Sequence, residues 1–267
     1  MFINILKYVF LGVIQGFIEP IPISSSGHVF ILKNIINLSV LSDLNFEIIV
    51  NAGSLLAIII IYNKEIGKVI KSFFLFFKDK KFTIDFKYCC LIIIGVIPVG
   101  IVGLLFKSDI ERVLSNINIV GISFIITALL LFLVRNKNGI REKKDINFLD
   151  ALFIGLSQVI SVIPGISRSG ITLVAGSFRG LSRINAFDYS FMMYIPISIA
   201  STFIGIKDIC SISNLHELII PYGIGFIVSF IVTFFTMEWF KRIVKKTNFI
   251  VFSIYCLVLG LLVLIFM

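Results

Sequence analysis

Phe10-Leu-Gly-Val-Ile-Gln15-Gly-Phe-Ile-Glu19-Pro-Ile-Pro22-Ile-Ser24-Ser25-Ser26-Gly27-His28 reads as an apolar helix that stops and restarts. So does Phe153-Ile-Gly-Leu-Ser-Gln158-Val-Ile-Ser-Val-Ile-Pro164-Gly165-Ile-Ser167-Arg168-Ser169-Gly170. Proline removes a backbone donor and ends the first helix of each. Serine then offers an oxygen to cap the second. Each half is too short to cross a bilayer comfortably, so 3–41 and 148–178 are expected to be re-entrant helix–loop–helix hairpins. Such irregular backbone is tolerated at membrane depth only when buried in protein or lining a wet cavity. The two stretches are also copies. Shifted by 143 residues, positions 10–27 and 153–170 share seven identities in eighteen: Phe10, Gly12, Gln15, Ile23, Ser24, Ser26 and Gly27 meet Phe153, Gly155, Gln158, Ile166, Ser167, Ser169 and Gly170.

Working outward, six apolar runs near 46–62, 88–106, 117–134, 186–206, 217–236 and 248–266 are long enough to span a bilayer at about 1.5 Å per residue. The expected fold is an all-α integral membrane protein of six transmembrane helices plus two re-entrant hairpins. Residues 1–267 form one polytopic domain with a first repeat at 1–134 and a second at 148–267. Phe46-Glu47 and Phe187-Asp188 open corresponding spans. Three spans per half is an odd number, so the second half is inverted. An inverted-topology repeat places a site at the repeat interface near mid-membrane.

Composition agrees. The chain of 267 residues is 58% hydrophobic and 15% charged, with a mean hydropathy of +1.06, too apolar for any soluble core to hide. A net charge of +9 would suggest nucleic acid in a soluble protein. Here the basic residues sit in short loops, so orientation and anionic headgroups explain them better. Eighteen of the 24 Lys and Arg fall on one side, in the loops after the first, third and fifth spans and after the second hairpin. That side is expected to be cytoplasmic, leaving both termini and the mouth of the first hairpin outside. The other side keeps Lys7, Lys33, Lys107, Arg112 and Lys207. Residues 72–77 (Ser-Phe-Phe-Leu-Phe-Phe), between lysines, are expected to be an interfacial helix. Arg179 and Arg183 read as interfacial charges, Glu47 and Asp188 as span-end acids. Cys89, Cys90, Cys210 and Cys256 form no CxxC pair and read as small apolar fillers. No cleavable signal peptide is expected.

The polar residues at the two breaks carry the chemistry. Ionisable groups at membrane depth are costly and functional by default. The first hairpin holds Gln15, Glu19, Ser24, Ser25, Ser26 and His28; the second holds Gln158, Ser167, Arg168, Ser169 and Thr172. Two Ser- and Gly-rich helix N-termini aimed at one point present free N–H groups and positive dipole ends. Gly27 and Gly170 belong to those tips. Arginine adds a planar fork suited to phosphate. A phosphate or diphosphate fits best. For phosphoryl transfer Ser25, a water or His28 is the nucleophile, with His28 also a candidate acid or base. Glu19 with Gln15 is a candidate for holding a divalent cation or moving protons.

Gln15-x-x-x-Glu19 followed by Pro22-Ile-Ser24-Ser25-Ser26-Gly27-His28, and Pro164-Gly-Ile-Ser167-Arg168-Ser169-Gly170-Ile-Thr172, resemble the paired motifs of the bacterial undecaprenyl-diphosphate phosphatases associated with bacitracin resistance. The resemblance covers essentially the whole chain. It implies hydrolysis of undecaprenyl diphosphate to undecaprenyl phosphate and phosphate in the bacterial plasma membrane, at a site opening outward. It implies Glu19, Ser25, His28 and Arg168 as the catalytic set, and Ser24, Ser26, Ser167 and Thr172 as phosphate contacts. It also implies a magnesium or calcium ion. Gln15 stands where many members carry a second Glu. The expected partners are a polyprenyl diphosphate and membrane lipids, with no nucleic acid; a homodimer stays open. The alternative reading is a transporter or flippase of polyprenyl phosphate, because inverted repeats with broken helices also build carriers.

Overall fold

The structure, a computed structural model, describes residues 2–35, 44–106, 116–210, 215–246 and 248–267. Residues 36–41 of the expected first hairpin, and Lys107 and Arg112 of the outer basic set, lie outside the described residues. The chain is all-helical, with no strand among the described residues. In order come α1 (Phe2–Ile18), α2 (Ser25–Ile35), α3 (Leu44–Ile61), α4 (Asn63–Asp79), α5 (Ile84–Leu105), α6 (Ile117–Val134), α7 (Phe148–Val159), α8 (Arg168–Phe178), α9 (Arg183–Cys210), α10 (Leu215–Ile243) and α11 (Ile250–Phe266).

Local sequence sets the boundaries. Thr83 caps α5 by accepting from the Phe86 amide, and Asn147 and Asp150 form a capping box at α7. Ser167 accepts from the Gly170 amide and starts α8 after the Pro-Gly break. Among the described residues four helices are long and apolar enough to cross a membrane: Ile84–Leu105, Ile117–Val134, Arg183–Lys207 and Leu218–Ile243. They match four expected spans. The expected span 46–62 is α3, which bends by 75° into α4; the pair counts as a fifth if taken as one broken span. The expected span 248–266 is α11, a shorter apolar helix of 17 residues. The expected 72–77 segment is the end of α4.

The outer face is as apolar as the core. Leu105 and Phe203 are about 70% exposed, while Ser54, Ser229 and Thr233 are fully buried. Ser54 Oγ hydrogen-bonds Ser229 Oγ (2.9 Å) and Thr233 Oγ1 (2.8 Å), tying α3 to α10. Packing partners come in matched sets. α1 lies on α10 as α7 lies on α5, and α10 lies on α3 as α5 lies on α9; α6 pairs with α11 and α3 with α9. Gly12 of α1 and its copy Gly155 of α7 make the matched contacts. A Cβ on Gly12 would lie 3.0 Å from the Gly225 carbonyl, and one on Gly155 2.5 Å from the Gly95 carbonyl. Only glycine lets these helices approach so closely.

Candidate active site

The two breaks touch. Ser24, the residue before α2, holds φ at 69°, and Gly165 holds φ at 86°. The left-handed backbone at a serine costs energy that the surrounding packing must offset, a pattern concentrated at functional sites. A Cβ on Gly27 would meet the Phe124 ring at 2.9 Å and the Gly165 Cα at 3.0 Å; one on Gly170 would meet the Pro22 carbonyl at 3.1 Å. Glycine at both tips is therefore a steric requirement.

Glu19 is the hub. It is 5% exposed, and its Oε2 accepts from Gln15 Nε2 (2.8 Å) and Ser25 Oγ (2.5 Å). Its Oε1 accepts from Arg168 Nη2 at 2.6 Å, across the repeat boundary. A carboxylate this deep is tolerated because three donors compensate its lost hydration. Arg168 also donates to Ser198 Oγ (3.4 Å), and its guanidinium stacks 3.8 Å over the Tyr194 ring. Tyr194 in turn donates to Asn51 Oδ1 at 2.9 Å. A guanidinium has five N–H donors; Glu19 and Ser198 engage two. The amides of Ser25, Ser26, Arg168 and Ser169 begin helices and have no intrahelical acceptor.

These groups stand at the polar end of a cavity of about 600 Å³. Its wall includes Gln15, Glu19, Ser24, Ser25, Ser26, Gln158, Ser167, Arg168 and Ser169, then an apolar stretch from Val96, Val99, Gly100, Gly103 and Leu104 of α5 facing Ile197, Ala200 and Ile204 of α9. It lies toward the end of the bundle where α3 begins and α5 finishes. A second cavity, about 220 Å³, lies at the opposite end among Tyr62, Glu65, Tyr88, Lys143, Asn185, Asp188 and Lys241. Among the described residues no group of three or more His, Cys, Asp or Glu side chains is set to hold a metal.

Nine of the residues singled out at the two breaks therefore share the wall. Gly27, His28, Gly170 and Thr172 stand behind it. The Gly27 amide donates to Ser24 Oγ (3.3 Å) and the Gly170 amide to Ser167 Oγ (3.0 Å). Thr172 Oγ1 donates to the Arg168 carbonyl (2.9 Å) and hydrogen-bonds Ser190 Oγ. His28 is buried with Nδ1 donating to the Ser24 carbonyl and Nε2 accepting from the Tyr255 hydroxyl, both at 2.7 Å. Its ring packs edge-on against Phe124. The neighbour of Ser25 in space is thus Glu19 rather than His28.

Other sequence expectations are relocated. Glu47 is on the cavity wall, paired with Lys33 at 3.0 Å. Asp188 belongs to the second cavity, accepting from Lys241 (3.0 Å) and Tyr62 (2.6 Å). Arg179 binds the fully buried Asp150 at 2.6 Å, and Arg183 donates to the carbonyls of Lys137 and Arg135. Both arginines tie loops together beyond any interfacial role. Missed altogether were Asn51, Ser190, Tyr194, Ser198 and Tyr255. Ser190, Tyr194 and Ser198 recur every four residues on a largely apolar span, so one polar helix face was readable.

A helical bundle that hides hydroxyls, an acid and a guanidinium inside an apolar shell is a multi-pass membrane protein with a polar-ended internal chamber. Residues 8–262 match the family described as Bacitracin resistance protein BacA, and the chain belongs to that family. It is 40% identical over 268 residues to a Bacillus anthracis protein named Undecaprenyl-diphosphatase 3, covering 100% of this chain and 99% of that one. It is 41% identical over 270 residues to Undecaprenyl-diphosphatase of Oceanobacillus iheyensis, covering 100% and 98%. It is 38% identical over 262 residues to Undecaprenyl-diphosphatase 1 of Halalkalibacterium halodurans, covering 97% and 95%.

Proposed function

We propose that this protein hydrolyses undecaprenyl diphosphate to undecaprenyl phosphate and inorganic phosphate, returning the lipid carrier to cell-wall synthesis. The carrying observation is Glu19, a buried carboxylate that receives Ser25 and Arg168 together at the polar end of an apolar cavity. The names of the relatives supply the substrate. The diphosphate lies between the two helix tips, and the prenyl tail follows the α5–α9 wall toward lipid.

Glu19 takes the Ser25 proton as its Oγ attacks the terminal phosphorus. The bond from that phosphorus to the bridging oxygen breaks, and undecaprenyl phosphate leaves with that oxygen and takes the proton from Glu19. A water, deprotonated by the freed Glu19 carboxylate, then attacks the phosphoserine phosphorus; the bond from phosphorus to Oγ breaks, Glu19 returns the proton to Ser25 Oγ, and phosphate is released. Arg168 and the first-turn amides neutralise the charge that spreads over the phosphoryl oxygens. Ser26 and Ser169 contact phosphate from the wall. Ser24 and Ser167 hold the two helix starts, and Thr172 fixes the backbone of Arg168. His28 fixes the Ser24 carbonyl, and so the angle at which Ser25 enters the chamber.

Glu19 and Gln15, whose side chains stand together on the cavity wall, would hold a divalent cation, magnesium or calcium, through side-chain oxygens. When bound it would neutralise phosphate charge. The matched packing supports two inverted halves, each a re-entrant hairpin with three spans. The second cavity, at the end where the basic loops lie, then faces the cytoplasm, and the large cavity opens outside. Phosphate release from undecaprenyl diphosphate by detergent-solubilised protein tests the reading. No release, with passage of polyprenyl phosphate across vesicles containing the protein, would make it a carrier.

A further inference from the structure

Gln15 and Gln158 occupy the same place in the two repeats, one turn before the break. Gln15 spends its amide on Glu19. Four residues beyond Gln158 the chain has Val162 instead of an acid. Gln158 is 1% exposed, and its Nε2 has no hydrogen-bond partner among the described residues. Yet it belongs to the wall of the same cavity as Glu19, Ser25 and Arg168. Buried polar groups are almost always satisfied, and the exceptions call for a reason. A primary amide between α7 and a chamber built for phosphate has one at hand. The terminal torsion of glutamine is broad and nearly two-fold, so half a turn exchanges donor and acceptor without moving the helix.

We propose that Gln158 is a further substrate-binding residue whose carboxamide N–H donates to a phosphate oxygen of the diphosphate. This rests on the hydrolase reading above. The second tip then contributes two donors, Arg168 as a charge and Gln158 as a neutral amide. The first tip uses its equivalent amide to hold the base. A neutral donor suits this place, since it adds affinity for the anion without competing with Arg168 for Glu19.

Gln158→Met keeps length and flexibility and removes the donor. Steady-state kinetics on undecaprenyl diphosphate should show KM raised about ten- to a hundredfold, the range for a hydrogen bond to a charged group, with kcat within a few-fold. Inhibition by orthophosphate should weaken in parallel. The melting temperature should hold or rise, because an unsatisfied amide is gone. Gln158→Glu, which adds a like charge, should lose more affinity than Gln158→Met. An unchanged KM and orthophosphate inhibition in both variants would overturn the proposal. So would a fall in melting temperature that accounts for the lost activity. Thermal protection of the wild type by orthophosphate is scored separately. A wild type that binds orthophosphate through Gln158 but releases none from the lipid fails the hydrolase reading alone. An active wild type matched by Gln158→Met fails this inference alone.

Discussion

Four residues past Gln15 stands Glu19, and directly after the Ser24 cap stands Ser25. At the second break the same two places hold Val162 and Arg168. The frames agree in their tip glycines, Gly27 and Gly170, and in their capping serines, Ser24 and Ser167, but the reactive groups do not. The shared residues supply two amide-rich helix starts that face each other; the differing ones make one tip acidic and the other cationic. The contrast is a physical necessity. Two acids 2.6 Å apart would repel, and two arginines would leave no base, whereas the Glu19–Arg168 pair neutralises both charges until a diphosphate arrives.

Making the tips alike should cost the most. Arg168→Ser reduces the second tip toward the first, and should lower kcat by about 10³ to 10⁵, as for other arginines that stabilise a phosphoryl transition state. Phosphate release by folded, membrane-inserted protein measures it, and near-normal turnover would remove phosphate from the role of Arg168. Glu19→Val gives the first tip the residue of the second. Loss of general-base catalysis predicts a fall of about 10² to 10⁴, accompanied by a less stable fold because Arg168 loses its buried partner. Glu19→Gln separates the two effects, since the amide still accepts from Arg168; activity should remain low while the melting temperature recovers.

The contrast also explains what the sequence could reveal. Both breaks were legible because proline, glycine and serine act locally, and the helix starts fall where capping chemistry expects them, at Ser25 and Arg168. The copy relation was legible because it preserves residues at fixed offsets. Which group faces which was not. His28 lies three residues after Ser25, a spacing that puts neighbours on one helix face, yet tertiary packing commits its ring to the Ser24 carbonyl and to Tyr255 on α11. Glu19 precedes Ser25 by six residues, and the break folds it back onto the serine. Tyr194 and Ser198 were hidden for another reason: they act on Arg168 through tertiary packing, and only their spacing on α9 pointed to a shared face.

His28 itself gives a smaller test. If its work is to hold the Ser24 carbonyl, His28→Asn and Tyr255→Phe each remove a hydrogen bond remote from phosphorus. Each should then lower turnover about three- to tenfold, the net worth of roughly 1 kcal/mol. The double variant should be no worse than His28→Asn. A loss of about 10² or more from His28→Asn alone would return the histidine to direct proton transfer.

The smallest effect is expected at the other end of the molecule, where charges are matched for structure. In the second cavity Lys143 bridges Glu65 and Asp85 at 2.8 Å each, and Lys68 meets Glu65 at 2.7 Å. The Lys143 and Lys68 ammonium groups hold the Glu65 carboxyl below its usual range. A carboxyl lowered in the folded state contributes stability above its unfolded pKa, and that contribution disappears as pH falls through the folded value. Glu65→Gln should therefore leave turnover intact and lower the melting temperature slightly at neutral pH. The difference from wild type should close as the pH drops below the carboxylate range. A large loss of turnover instead would mean that the small cavity is coupled to the chamber, and that the two ends of the bundle are not divided between structure and chemistry.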